Sequence, residues 1–316
     1  MPKKSSKAGK IKIASDLRQS PAWTRYLSAL GWQTEEVKSR NGRAQAYIRK
    51  IPLLGTVIKI QRPSSIPDLK EVDQLAKKHH ALLIKLEPAL NAPIPNLDRA
   101  GYQKDPNPNS PTRTINLALD KPQRVLWENL SKDSRQTLRR TGSKLISKNF
   151  NFGEPGFDVA LGKFHHLLQE SGKRGGFSAT PIEELAAKCK AFGKHARVFL
   201  VSQPKAGRPV AGALVLEWQE TAYYHHTASS EEGLQLHAPY FMMWEIIKFF
   251  KRRPIPIRFL DFEGIYDSRY QKTTKGWQGF TVFKRKWGGE EISYPAPLIK
   301  FYNLPTKLLF KLGNLF

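Results

Sequence analysis

The chain has 316 residues, 40% hydrophobic and 25% charged, which excludes a disordered chain and leaves room for two ordinary domains. Lys and Arg number 52 against 27 Asp and Glu, a net charge of +25 with a pI near 10.1. A field of that sign favours polyanions, either nucleic-acid phosphates or an anionic membrane surface, although a merely solvated basic surface has the same composition.

Residues 1–12 read as a flexible basic arm carrying Lys3, Lys4, Lys7 and Lys10, without the apolar core of a signal peptide. No stretch approaches the roughly 20 apolar residues that cross a bilayer, so a cytoplasmic protein is expected. A helix is predicted over 21–30, with Pro21 early and Trp23, Tyr26, Leu27 and Leu30 on one face. Strands follow over 44–48 and 56–60, then a helix over 67–80 and an apolar strand over 81–86. Pro, Asn and Asp mark 91–111 as a surface loop. A strand over 113–119 leads into a long basic helical region, 122–147, in which Lys132, Arg135 and Arg139 share a face.

After a turn at 153–156 the order of elements restarts. Helices are predicted over 157–171 and 181–192, and strands over 196–202, 210–218 and 221–227, with 205–208 as a hairpin turn. A helix over 238–250 and a strand over 258–262 complete the second pass, before a Gly-rich segment and then 279–286. Two passes of this kind imply duplicated α/β units divided near Asn149.

Cys189, the single cysteine, rules out an internal disulfide and fits a buried thiol on the 181–192 helix better than a nucleophile. Phosphate-loop, nucleophile-elbow and zinc-protease signatures are absent. The pairs His79-His80, His165-His166 and His225-His226 place neighbouring side chains on different sides of an element, a poor arrangement for one ion. No metal or cofactor is therefore expected.

The most distinctive run is Leu260-Asp261-Phe262-Glu263-Gly264-Ile265, followed by Gly276-Trp277-Gln278-Gly279-Phe280-Thr281-Val282-Phe283-Lys284-Arg285-Lys286-Trp287-Gly288-Gly289. Glycines let a backbone approach a ligand while Lys284 and Arg285 supply charge; a basic edge strand with core aromatics accounts for the run equally well. This run resembles the closing motif of the Fem family (FemA, FemB, FemX) of peptidoglycan-bridge aminoacyltransferases, with Trp287 where the pattern has its second Phe. The likeness continues in Tyr223-Tyr224-His225-His226 and Ala238-Pro239-Tyr240 with Trp244, in 114–119 with 134–140, in the strand pair 52–63, and in the opening Gln19-Ser20-Pro21-Ala22-Trp23.

The resemblance implies an α/β (α+β) fold of two tandem acetyltransferase-like (GNAT-type) domains, with mixed sheets flanked by helices. On this reading the domains span 13–149 and 150–294, and 295–316 packs toward the first domain or the membrane. The implied activity moves an amino acid from aminoacyl-tRNA to an amine of a peptidoglycan precursor stem peptide, lipid II or its nucleotide-linked form. Lys284 would contact the tRNA acceptor end or the oxyanion, and Phe283 would pack on the terminal adenosine. Arg174 would hold a precursor phosphate, with Tyr223 or Tyr224 supplying a hydroxyl. Trp23 belongs to the opening motif; Leu27 stands where the family has a phosphate lysine, leaving Arg25 as the nearby cation.

Glu87 and Glu263 are the candidate general bases. The tail 298–316 reads as an amphipathic helix interrupted at Pro305, with Lys300, Lys307 and Lys311 on one face, suited either to the inner leaflet or to docking on the core. Two rivals stay open: an acyl-coenzyme A-dependent acyltransferase, whose pyrophosphate loop is missing, and a non-catalytic basic RNA- or membrane-binding protein.

Overall fold

The computed structural model describes residues 15–311 apart from 41, 91, 93–96, 206 and 255, so the basic arm expected over 1–12 lies outside the described residues. Ser20 starts the first helix, its hydroxyl accepting from Trp23 N at 3.0 Å, and α1 (Pro21–Ala29) follows. The chain then forms β1 (Gln33–Ser39), β2 (Gly42–Ile51), β3 (Gly55–Gln61), α2 (Leu69–Lys78), β4 (Ala81–Glu87) and the short β5 (Gln103–Lys104). Next come β6 (Arg113–Ala118), α3 (Gln123–Glu128), α4 (Lys132–Thr141), β7 (Ile146–Asn151), α5 (Phe157–Gly175) and α6 (Ile182–Phe192). The last third contains β8 (Ala196–Ser202), β9 (Ala211–Trp218), β10 (Thr221–Ser229), α7 (Glu231–Gln235), α8 (Ala238–Lys251) and β11 (Phe259–Asp261). It ends with α9 (Gln271–Thr274), α10 (Gln278–Arg285), β12 (Glu290–Ser293), β13 (Leu298–Phe301) and α11 (Leu304–Lys311).

These strands make two mixed sheets, ordered β1-β2-β3-β4-β13-β5 and β12-β6-β11-β10-β9-β8-β7. Each contains one parallel pair, β3 with β4 and β10 with β11. The division between sheets does not fall at 149/150. Ile115 and Leu117 of β6 alternate into the core beneath α8, so β6 is inserted between β12 and β11, and β7 forms the far edge of the same sheet. The chain crosses back once, where β13 pairs antiparallel with β4.

Several elements differ from the sequence expectation for local reasons. The basic helix over 122–147 is two helices, because Ser131 caps α4 and Arg135 donates to Glu128 O at 2.8 Å at the end of α3. The edge strand β1 carries only one buried residue, Val37, and so lacks the alternation that marks a strand. Residues 278–285 are helical rather than an edge strand: Thr281 Oγ1 donates to Trp277 O (2.7 Å) and accepts from Tyr266 N (2.8 Å). The tail is a strand and then a helix, with Pro305 in its first turn, where a missing N–H costs nothing. Among the described residues, no helix is long and apolar enough to cross a membrane.

The halves share one apolar core. Leu17, Trp23, Tyr26, Leu27 and Tyr47 pack with Leu161, Phe164, Leu185, Cys189, Leu216 and Tyr223. This fuses α1 to the second sheet and carries the polar residues next to it into the same place.

Candidate active site

The parallel pair β10–β11 is hydrogen-bonded only over Thr221–Tyr223 and Phe259–Asp261. Beyond that the two chains part. The β11 side stays with β6, Phe262 N donating to Ile115 O (2.9 Å) and Ile265 N to Arg113 O (3.1 Å), while β10 runs on to Ser229 beside β9. The turn is sharp: Glu263 has φ 57°, and a Cβ on Gly264 would lie 2.5 Å from the Trp277 ring. The motif glycine is therefore required by packing.

On the opposite wall β10 has a bulge between Tyr224 and His226. Tyr223 and Tyr224 keep the strand alternation, Tyr223 facing the shared core and Tyr224 packing beneath α8. The inserted residue then brings His225 and His226 together, their rings 4.6 Å apart, instead of on opposite sides. His225 also meets the edge of Trp23 (5.9 Å), and His226 Nε2 lies 3.1 Å from Lys188 Nζ on α6.

Buried charge fills the rest of the opening. Arg18, just before α1, reaches across the halves to Glu263 (2.8 Å) and also pairs with Asp16 (3.2 Å). The Glu263 N–H and the Thr114 hydroxyl both donate to Asp261. Burial raises a carboxylate, but the Arg18 charge outweighs it at Glu263 and holds that group well below the usual range. Asp261, pushed up by burial and by the charge on Glu263, sits well above it. Burial and the Lys188 charge lower His225 to about 4, so its imidazole is neutral at pH 7.

Lys284 enters this opening from α10 and donates to Gly264 O at 2.6 Å. Burial lowers its ammonium to about 8 against the pull of Glu263 and Asp261. Burial likewise lowers Lys188 to about 8, opposed by Glu184. Three polar atoms, Trp23 Nε1, His225 Nδ1 and Glu263 Oε1, are buried here without a hydrogen-bond partner; the last two lie 3.7 Å apart. Such orphaned groups in one place are costly unless a ligand satisfies them.

Residues 132–272 match the profile of the acetyltransferase (GNAT) domain family. FemX is similar over 95% of both chains at 17% identity, with a TM-score of 0.75. The chain has the FemX fold. The C-terminal domain of a putative lysylphosphatidylglycerol synthetase from Agrobacterium fabrum is similar at 12% identity, covering 93% and 92% of the chains with a TM-score of 0.61. A tandem GNAT protein of the clavulanic acid biosynthesis pathway follows at 10% identity, 86% and 84% coverage and a TM-score of 0.55. No curated protein sequence matches. The tandem GNAT architecture expected from the motifs is thus the observed one.

Within this FemX fold the expected site residues separate into two groups. Lys284, Trp23 and Tyr223 converge on the β10–β11 opening. Phe283, one helical step from Lys284, turns away and packs edge-on against Tyr240 (5.0 Å) and Trp287 (5.8 Å). Arg174 is exposed at the end of α5 and donates to Ser229 O (2.8 Å), about 10 Å along β10 from His226. Tyr224 lies under the sheet, Arg25 ties α1 to Ala191 O (2.8 Å), and Arg285 pairs with Glu291 on the surface (2.6 Å).

Of the two candidate bases, Glu87 is saturated: it accepts from Asn109 N (2.6 Å), Ser110 N (2.9 Å), the Ser110 hydroxyl and Gln61 Nε2 (3.3 Å). That leaves it no free lone pair directed at a substrate. The Cys189 thiol, raised by burial to about 12, is inert. Arg18, Lys188, His225, His226 and Asp261 were not anticipated as site residues. One signal was present: Lys188 interrupts the stripe Leu185, Cys189, Phe192 on the buried face of α6, where a cation needs a partner.

Proposed function

We propose that the protein is a Fem-type aminoacyltransferase, taking an amino acid from aminoacyl-tRNA and joining it to an amine of a peptidoglycan precursor. The observation that carries this reading is Lys284, in the segment that resembles the family's closing motif, buried at the opening between β10 and β11 and donating to Gly264 O. An aminoacyl ester is already activated, so transfer needs orientation, a place for negative charge and a route for one proton. The acceptor nitrogen attacks the ester carbonyl, a C–N bond forms, and the C–O bond to the tRNA ribose breaks. One amine proton ends on the departing ribose oxygen. Lys284, lowered by burial to about 8 and so still cationic at pH 7, faces the developing oxyanion with the donors that Gly264 leaves free.

Glu263, held ionised by Arg18, orients the acceptor amine, while Arg174 takes a precursor phosphate. The net charge of +25 suits both polyanionic substrates. The protein would act in the cytoplasm, at the inner leaflet when the acceptor is lipid-linked. A coenzyme A reading is disfavoured by the start of α8. His237 is in the left-handed region, the preceding Gly233 is held inside α7 rather than in a loop, and Pro239 removes an N–H from the first turn, where a pyrophosphate needs donors.

The deciding experiment supplies the protein with charged tRNAs and either lipid II or its nucleotide precursor, and weighs the product. A mass increase of one amino-acid residue on the stem peptide is expected. No product from any charged tRNA, or a product only with acetyl-coenzyme A or with phosphatidylglycerol as acceptor, would overturn the reading.

A further inference from the structure

The most exposed of the large apolar side chains in the described residues is Leu53, at 105% of its reference area, with Leu54 beside it at 61%. Both sit on the tip joining β2 to β3, and Leu53 holds φ 64°, a region that bulky side chains avoid. A turn of this shape is better served by Asn or Gly, so the leucine is not explained by folding.

The register places a second apolar surface at the same end of the sheet. Val57 pairs with Leu83, Leu83 pairs with Phe301, and Tyr302 N donates to Leu82 O at 2.9 Å. The tip and the start of α11 therefore emerge about two strand spacings, roughly 10 Å, apart. α11 turns Thr306 and Phe310 inward but leaves Leu304, Leu308 and Leu309 exposed.

Cations rim this edge. Lys50 adjoins the tip, and Lys307 lies on α11. Lys77 is in the last turn of α2, whose end is tied to the tip by Thr56 Oγ1 donating to His79 O (2.6 Å). No Asp or Glu occurs in 37–67, 74–86 or 292–316; the nearest acids are both paired, Glu35 with Lys78 (2.9 Å) and His79, and Asp73 with Lys300 (2.7 Å) and Tyr302.

We infer that this edge docks on an anionic lipid bilayer, with Leu53 and Leu54 inserted among the acyl chains and α11 lying in the interface. The leucines project from two separate convex points rather than lining a groove, a shape that fits a fluid phase. The lysine-bearing rim, with its neighbouring acids already paired, complements anionic headgroups. This inference does not depend on the transferase reading.

The test is co-sedimentation of the full chain with vesicles of phosphatidylcholine alone or mixed with phosphatidylglycerol. Binding to the mixed vesicles, weakening as salt rises, is expected. L53S/L54S should lower partitioning by roughly tenfold or more at an unchanged melting temperature. K50Q/K77Q/K307Q should lower it several-fold, on the mixed vesicles only. The inference is overturned if the native chain stays in the supernatant, binds neutral vesicles equally well, or is unaffected by L53S/L54S. It is equally overturned if those leucines support a concentration-dependent dimer in light scattering while vesicle binding survives their loss.

Discussion

The two sheets solve the same topological problem in different ways. Each has one parallel pair ending in a buried glutamate: β3–β4 with Glu87 and β10–β11 with Glu263. In the first, the ladder runs unbroken to the end, Gln61 opposite Glu87, and Glu87 is closed over by donors from the 109–110 loop. In the second, the ladder stops after three pairs, and Glu263 faces Arg18 and His225 with its Oε1 left without a hydrogen-bond partner. A closed carboxylate builds structure, whereas an open one among uneven charges is a place for chemistry. On the proposed function, the first sheet is scaffold and the second carries the site.

Five experiments break or sharpen this contrast, the largest effect first. Arg18→Met should cost about 3–5 kcal/mol in chemical denaturation, because it strands Glu263 as an uncompensated buried charge. Combining it with Glu263→Gln should return part of that loss; simple additivity would show that the two do not act as a pair. Lys284→Met, which keeps the side-chain volume, should lower kcat by about 10²–10³, near 3–4 kcal/mol in the barrier, with little change in melting temperature. Near-normal turnover would remove Lys284 from the mechanism.

The same residue predicts a pH profile. Lys284 is lowered to about 8, so its protonated form is present below that pH and is lost as pH rises through it. A falling limb in kcat near pH 8 is expected, and Lys284→Arg, which does not titrate there, should abolish it. Glu87→Gln should cost about 1–3 kcal/mol in stability, by weakening charge-assisted bonds, while kcat per folded molecule stays unchanged. A large loss of kcat there would mean that the first sheet is not merely scaffold. Arg285→Ala should change stability by about 0–1 kcal/mol and turnover by less than about twofold, since its pair with Glu291 is solvent-exposed.

Much of this architecture could be read from the chain alone. Helix α5, strand β8 and the short run of β11 are marked by apolar period and turn residues, and the ordered motifs from Gln19 to Gly289 led to the tandem GNAT fold. Periodicity reports which face of an element is buried, and that is a local property. Three features of the site are not local. The bulge at His225 depends on how β10 meets β9. The parting of β10 from β11 depends on β6, a strand more than a hundred residues away in the chain, holding the latter. The charge cluster joins Asp16, Arg18, Lys188, Asp261, Glu263 and Lys284 from four separate segments. Burial and mutual proximity set how those groups ionise, and both exist only once the two halves share a core. Residue types and spacing therefore determined the elements and the family likeness, while tertiary packing decided which glutamate, which histidines and which lysines face the opening.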